Sequence, residues 1–262
     1  MRLATFNLLH GRSPRDGRVD LTRLRDAVAG LRADVVGVQE ADRGQDRSHG
    51  ADLTAELGFP HHRFVPAVIG TPGVSWRAAR GTDGDGGAEP AYGIGLASRW
   101  PVRSWHVLRL PASPLRSPVL VPGPRRPGLL LLRDEPRVLL AAVVQAPHGP
   151  ATVATTHLSF VPGWNVRQLR TALAALARLP GPRVLLGDLN LPGAVVRAVT
   201  AGTGWRPLAR VATYPVGRPR IQFDHVLAHG WPGRVAAVEA RPLPVSDHRA
   251  LVIELDSAGV RP

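Results

Sequence analysis

The sequence predicts a single α/β domain of the α+β kind. Short apolar runs of strand length recur along the whole chain, and segments with the period of amphipathic helices lie between some of them. A hydrophobic content of 44% is ample for a buried core. No linker, repeat or low-complexity break divides the chain, so we expect one domain spanning residues 1–262.

The amino-terminal part of the chain reads as strand, helix, strand. Residues 2–7 are apolar enough for a first strand, which ends at Asn7. Residues 21–31 place their leucines and a valine on one helical face. Residues 34–39 form the next apolar run and place Glu40 directly at the end of that strand. Glu40 is therefore either solvated at the strand exit or turned into a cleft.

The remaining elements follow from the same two patterns. We expect residues 71–90 to form a glycine-rich surface loop, and the proline- and arginine-rich residues 111–127 to leave the sheet between strands. The segments 137–145 and 151–156 are predicted to form an antiparallel pair. Further strands are predicted at residues 63–69, 92–98, 102–110, 184–186, 221–227, 235–239 and 250–254, and further helices at 52–57, 165–179 and 194–201.

The charge and the missing residue types limit the function classes. The net charge is +13 and every basic residue is arginine, which favours an anionic substrate such as nucleic acid or a phospholipid headgroup. The coding bias of a GC-rich genome explains the same composition equally well. Cysteine is absent, so disulfides and thiolate metal sites are excluded, and any metal is held by oxygen or imidazole.

The sequence carries no signal for a membrane or for export. No apolar run reaches the roughly 18 residues of a spanning helix, and the first residues lack the long apolar region of a signal peptide. We therefore expect a cytoplasmic protein. We also expect a monomer, although no motif determines the oligomeric state.

The segment VLLGDLNLP is the most informative stretch of the chain. Asp188 and Asn190 follow a short apolar run, and extended backbone would place both side chains on one face. Strand ends that face a crevice are where α/β proteins place their chemistry. Gly, Asp and Asn are also favoured turn residues, so a plain turn is the alternative.

Other polar residues also stand at the ends of apolar runs. His157 ends one predicted strand, Asp224 lies within another, and Asp247 and His248 precede the last. Each has a structural alternative, such as a core histidine or a capping aspartate. Together they form an oxygen-rich set with two imidazoles, which suits a hard divalent ion, a carboxylate that activates water and an imidazole held by a second carboxylate. In such a site the metal acts as a Lewis acid, and a positioned water is the nucleophile that attacks phosphorus.

The same segments resemble the endonuclease/exonuclease/phosphatase superfamily. The matching motifs occur in the family's order from residue 3 to about residue 255 and read TFNLLHG, VVGVQE, YGIGLASR, TTHLS, LLGDLN, FDHVL and SDHRAL. The resemblance implies a four-layer sandwich, like that of deoxyribonuclease I, in which two mixed β-sheets are flanked by helices. It also implies a metal-dependent hydrolase of phosphoester bonds, either a phosphodiesterase or nuclease, or a phosphatase.

The resemblance further implies roles for individual residues. Glu40 would be the principal ligand of Mg²⁺, with Mn²⁺ or Ca²⁺ as alternatives, Asn7 would lie beside it and Asp247 would contribute. Asp188 would orient or deprotonate the attacking water, and Asn190 would hold the phosphate or that water. His248, whose tautomer Asp224 would fix, would stabilise the phosphate or transfer a proton. His157 would lie near the leaving group and act as a general acid or as a donor to the phosphate.

Two departures bear on the substrate. Repair nucleases of this fold carry an acid two residues after the asparagine, where this chain has Leu9, and they use a tyrosine where this chain has His157. Both differences disfavour abasic-site repair. A phospholipid or small phosphoester hydrolase remains an alternative to a nuclease, as does a catalytically silent binding protein on the same scaffold.

Overall fold

Two β-sheets pack face to face in the computed structural model. The structure describes residues 1–81, 87, 89–113, 116–121 and 128–256, without the side chains of residues 116–121 and 128–133. Within these residues one sheet has seven strands and the other has six, and a separate two-stranded ribbon accompanies them.

The seven-stranded sheet contains both ends of the described chain. β1 pairs in parallel with β2 and antiparallel with β15, so the sheet is mixed. Its strands are β1 (Arg2–Asn7), β2 (Val35–Arg43), β3 (His61–Thr71), β4 (Ser75–Ala78), β5 (Ala91–Ser98), β14 (Val235–Arg241) and β15 (Ala250–Leu255), in the spatial order β14-β15-β1-β2-β5-β3-β4.

The six-stranded sheet is also mixed, because β10 and β11 run parallel while their other neighbours run antiparallel. Its strands are β6 (Val102–Leu110), β9 (Arg137–Ala146), β10 (Gly149–His157), β11 (Arg183–Asp188), β12 (Trp205–Pro207) and β13 (Asp224–His229), in the spatial order β12-β13-β11-β10-β9-β6. The separate ribbon consists of β7 (Arg116–Val121) and β8 (Gly128–Arg133).

Helices cover the outer face of each sheet. α1 (Leu21–Ala29) packs Leu24 and Val28 against the first sheet, while α2 (Trp164–Leu176) and α3 (Gly193–Thr200) pack against the second. A third cluster of buried aliphatic side chains fills the space between the sheets. The predicted four-layer sandwich is therefore confirmed. Among the described residues, no helix is long and apolar enough to traverse a bilayer.

Several predicted boundaries were wrong. The expected loop at residues 71–90 contains β4, which pairs with β3, and its residues 82–86 and 88 lie outside the described part. For residues 111–127 the prediction that the segment leaves the sheet agrees with the structure, because β7 belongs to the separate ribbon; the strand itself was not predicted, and residues 114, 115 and 122–127 are not described. The helix expected at residues 52–57 is only a short 3-10 turn, Ala55–Leu57. The loops at residues 71–90 and 111–127 were predicted from glycine and proline content, but both residue types are tolerated in edge strands and ribbons.

A buried polar contact joins the two sheets. Gln39 of β2 donates a hydrogen bond to the Thr155 hydroxyl of β10 over 2.9 Å, and it also bonds with Thr5 of β1. The sheets approach closely here, because a Cβ on Gly37 would lie 2.7 Å from Thr155 Oγ1. Polar groups that satisfy one another in this way fix how the sheets are placed relative to each other. This contact therefore holds the part of β2 that carries Glu40 close to the end of β10 that carries His157.

Gly187 provides a stability test of the strand that carries Asp188. Its φ is +154°, and a Cβ would lie 2.1 Å from the backbone oxygen of Thr156. We expect Gly187→Ala to lower the free energy of unfolding by about 3 kcal/mol, measured by urea denaturation, because both strain and overlap with backbone atoms must be relieved. Gly202→Ala is the matched control: its φ is +72° but nothing lies within 4 Å, so a loss of only about 1 kcal/mol is expected. Equal losses would contradict this account.

Candidate active site

Three of the predicted site residues form a row across the second sheet. His157 ends β10, Asp188 ends β11 and Asp224 begins β13. The strand register pairs His157 with Asp188, and Asp188 with Asp224. The alternating pattern of residues 221–227 predicts Asp224 inside a strand. In the structure Asp224 is the first residue of β13, and the antiparallel pairing with β11 brings it to the same sheet edge as Asp188.

The first sheet contributes Asn7 and Glu40 to the same place. Asn7 ends β1, as predicted from the sequence. The prediction that a strand ends before Glu40 was wrong, because β2 continues to Arg43 and its pairing with β5 shifts between Val38 and Ala41. Glu40 lies in this bulge with φ of 52°. An extra residue in a strand changes the direction of a side chain, and here it places Glu40 in a pocket.

Asn7 connects the carboxylates of the two sheets. Its amide nitrogen Nδ2 donates to Glu40 Oε1 and to Asp188 Oδ2, both over 3.0 Å. Its amide oxygen accepts a hydrogen bond from the Leu9 backbone N–H over 3.0 Å. Asn7 is therefore oriented by three hydrogen bonds, and both of its amide protons are used between the two acids.

Asn190 reaches the site through a turn rather than an extended strand. β11 ends at Asp188, Asn190 has φ of 49°, and its backbone N–H donates to Asp188 Oδ1 over 2.9 Å. The expectation of two side chains on one face of extended backbone was therefore wrong. Asn190 Nδ2 donates to His157 Nε2 over 3.2 Å and to the Leu158 carbonyl over 2.9 Å.

His248 is held as a cation between two carboxylates. Its Nδ1 is 2.9 Å from Asp224 Oδ2, and its Nε2 is 3.8 Å from Asp188 Oδ2. Burial alone would lower the pKa of His248, but the charge and hydrogen bond of Asp224, with the charges of Asp188 and Asp247, raise it to about 10. At neutral pH His248 therefore carries a proton on each ring nitrogen and donates the one on Nδ1 to Asp224.

His157 has the opposite character. Burial, followed by the charges of Arg137 and His248, shifts the pKa of His157 well below its ordinary value. A neutral ring that accepts at Nε2 from Asn190 carries its proton on Nδ1. Of the two histidines at the site, His248 is thus the one charged at neutral pH.

Two of the site carboxylates, Glu40 and Asp188, have raised pKa values. Burial raises the pKa of Glu40 to about 7, with smaller contributions from Asp188, Glu135 and Asp247, while the hydrogen bond from Asn7 opposes the rise. Burial, together with the charge of Asp224, raises the pKa of Asp188 to about 6 against the opposing effect of His248. Negative charge is therefore concentrated in a small volume.

These side chains surround one pocket of about 460 Å³. Glu40, His157, Asp188, Asn190 and His248 line it. Asp247 lines it too, while Asn7 and Asp224 lie behind the lining and hold Glu40, Asp188 and His248 in place. All eight residues that the sequence singled out thus meet at one site, although they come from both sheets.

Sequence reasoning missed several residues that line this pocket. Arg137 begins β9, and the predicted antiparallel pair already placed the start of that strand beside the end of β10, where His157 lies. That signal could have identified Arg137. No periodic pattern marks the others, which come from turns, a bulged strand and loops: His10, Arg47, Pro72, Tyr92, Glu135, Phe160, Tyr214 and Phe223.

The oxygen donors at this site fit a hard divalent cation. Glu40 and Asp247 are acids lining the same pocket, and a cation between them would offset the burial of Glu40 and the smaller repulsion from the neighbouring acids, which together raise its pKa. Asp188, Asp224 and His248 also come within 4.8 Å of one another. In this group His248 Nδ1 lies 2.9 Å from Asp224 Oδ2 and Nε2 lies 3.8 Å from Asp188 Oδ2, so the imidazole is engaged with the two carboxylates. The residues that fit a cation therefore lie on the Glu40 side of Asp188.

Solved structures share this fold along almost the whole chain. An endonuclease/exonuclease/phosphatase from Beutenbergia cavernae DSM 12333 has 24% identity and a TM-score of 0.71, over 99% of this chain and 72% of that one. A mannosyl-6-phosphatase of Bacteroides thetaiotaomicron VPI-5482 has 14% identity and a TM-score of 0.61, over 98% and 99%. D. rerio TDP2 complexed with a single-strand DNA product has 15% identity and a TM-score of 0.63, over 98% of each chain.

The family itself is indicated by the sequence. No curated protein matches the chain significantly. A family model described as "Endonuclease/Exonuclease/phosphatase family" matches residues 4–248, which include every site residue discussed above. The chain belongs to the endonuclease/exonuclease/phosphatase family.

Proposed function

We propose that this protein is a divalent-metal-dependent hydrolase of phosphoester bonds that uses an activated water. The family generally hydrolyses such bonds. The observation that carries the proposal is the position of Asp188. This carboxylate is tied through Asn7 to Glu40 on one side, and it faces the cationic His248 on the other.

Asp188 is suited to orient the attacking water and to accept its proton. A pKa of about 6 leaves it ionised at neutral pH but close enough to neutrality to take up a proton. Asn190 has both amide protons engaged with His157 and Leu158, so its oxygen is the atom available to hold that water. We therefore assign Asn190 to the water rather than to the phosphate.

Glu40 and Asp247 are the residues that would hold Mg²⁺, or alternatively Mn²⁺ or Ca²⁺, and Asn7 would lie beside the ion and orient Glu40. When bound, such an ion supplies Lewis-acid polarisation of the phosphoryl group. The chain's own contribution is to orient Glu40 through Asn7 and to keep the surrounding acids close to one another.

His248 is the proton donor that the site supports best. It is cationic, and Asp224 fixes its orientation through Nδ1, so Nε2–H is directed toward Asp188 and the pocket. A donor at this place stabilises negative charge that develops on the phosphoryl oxygens. His157 is neutral. We assign it to orienting the Asn190 side chain and to lining the place of the phosphate, rather than to general-acid catalysis.

Three substrate classes are candidates for this pocket. The family neighbours include a mannosyl-6-phosphatase and TDP2 with a DNA product, so both a small phosphoester and a nucleic acid are candidates, along with a phospholipid. A cytoplasmic location, a monomeric state and one domain over residues 1–262 complete the proposal. A catalytically silent binder is disfavoured, because the acids and histidines of the site are all present.

An activity panel tests this function. The purified protein would be incubated with and without Mg²⁺ and with EDTA, against plasmid DNA, an RNA oligonucleotide, sphingomyelin, a sugar phosphate and bis(p-nitrophenyl) phosphate. We expect hydrolysis of at least one phosphoester class that requires the metal and stops with EDTA. Absence of hydrolysis across the whole panel with Mg²⁺, Mn²⁺ or Ca²⁺ would contradict the proposal.

A further inference from the structure

A second pocket adjoins the catalytic pocket. It has a volume of about 630 Å³ and is formed by the turn after β1 and by the loop after β2. His10 and Arg47 line both pockets, so they form a shared wall. The rest of its lining consists of Arg12, Gly17, Arg18, Val19 and His49.

The lining of this second pocket is basic and contains no acid. Asp16 lies in the same loop, but its carboxylate is bound by both terminal nitrogens of Arg23. Among the residues that the structure describes, no acid lies within ion-pairing distance of the Arg12 or Arg18 guanidinium, although the charge of Arg18 adds to the effect of Arg23 in lowering the pKa of Asp16. Positive charge that faces a concavity without a carboxylate raises the local concentration of anions.

Arg47 is held in place rather than free. It donates to both oxygens of the buried Asp42 over 2.7 and 2.8 Å, and its guanidinium lies 5.8 Å from the centre of the Tyr92 ring. Burial, followed by the charges of Arg47 and Arg12, lowers the pKa of His10 to about 4, so His10 is uncharged at neutral pH. Since Asp42 balances the charge of Arg47, the positive charge of the second pocket comes from Arg12 and Arg18.

We propose that this basic pocket is a subsite for a second phosphate of the same substrate molecule, with Arg12 and Arg18 as its binding residues. The inference rests on the proposed function, since it assumes that one phosphate occupies the catalytic pocket. The subsite would select substrates with at least two phosphates. A molecule that extends past His10 and Arg47 presents its second phosphate to the guanidinium groups of Arg12 and Arg18.

The experiment compares matched substrates that differ by one phosphate. Thymidine dinucleotide TpT is compared with its 5′-phosphorylated form pTpT, and a sugar monophosphate with the corresponding bisphosphate, so the two arms separate nucleic-acid substrates from small ones. For wild type we expect the substrate with the additional phosphate to have the higher kcat/KM in at least one arm. The double variant Arg12→Ala/Arg18→Ala should reduce that preference about tenfold.

The control and the contrary outcomes separate this inference from the proposed function. Arg178→Ala removes an exposed arginine just beyond α2 and should leave the preference unchanged. If wild type shows no preference, or if the double variant retains it, the subsite is refuted while the hydrolase proposal stands. If wild type hydrolyses nothing, anisotropy with a labelled 5′-phosphorylated TpTpT still tests the subsite: equal affinity of wild type and double variant would overturn it.

Discussion

Asp188→Asn is expected to lower kcat about a thousandfold while changing KM little. The amide has the same shape and keeps one oxygen to accept the hydrogen bond from either Asn7 or the Asn190 backbone, but it cannot take a proton from water. General-base catalysis contributes roughly 10²–10⁴-fold in enzymes, which sets the size of the effect. Steady-state kinetics on the best substrate of the activity panel, with Mg²⁺ present, measures it.

The control for this substitution is Asp26→Asn on the exposed face of α1, which should retain wild-type kinetics. Circular dichroism should show both variants folded. Full activity in Asp188→Asn would show that this carboxylate is not the base, and the proposed mechanism would then have to be abandoned. A rise in KM with unchanged kcat would contradict the assignment as well, because it would indicate a role in ground-state binding only.

Glu40→Gln is expected to abolish the stabilisation of the protein by metal. In wild type, Mg²⁺ at about a hundred times its dissociation constant should add about 2.7 kcal/mol, and thus raise Tm by several degrees. The variant loses the Glu40 carboxylate, which accepts a hydrogen bond from Asn7 and lies close to the other acids. Most of the Mg²⁺-dependent rise in Tm should therefore disappear. Thermal denaturation with and without Mg²⁺ measures the effect independently of activity.

Loss of folding does not explain that outcome, because Glu40→Gln removes negative charge from a crowded set of acids and retains an oxygen for Asn7. The metal-free variant should therefore be at least as stable as metal-free wild type. Glu254→Gln, at the exposed ion pair with Arg2, is the matched control and should keep the full Mg²⁺-dependent rise in Tm. An equal rise in wild type and Glu40→Gln would place the cation elsewhere.

Much of the site could be predicted because strand ends can be recognised in the sequence. Asn7, His157 and Asp188 each follow an apolar run, and each ends a strand in the structure. The side-by-side placement of His157 and Asp188 could not be predicted from periodicity, because it depends on the register between β10 and β11. Only the family resemblance indicated that these strand ends share one edge.

Other parts of the site depend on backbone conformations that the patterns did not reveal. The bulge at Glu40 adds a residue inside a strand that seemed to end there, and the left-handed conformation of Asn190 replaces an extended segment. Arg47 reaches the pocket from a loop and is fixed by Asp42, a pairing that sequence spacing does not predict. Tertiary packing determined each of these, so local preference was a poor guide.

The central claim is that a divalent cation binds beside Glu40 while Asp188 and His248 remain free to act on water and phosphate. Anomalous diffraction from a crystal soaked in Mn²⁺ tests this most directly. We predict one strong peak within about 2.0–2.3 Å of a Glu40 carboxylate oxygen. A peak among Asp188, Asp224 and His248 instead, or no peak in the pocket, would contradict the account.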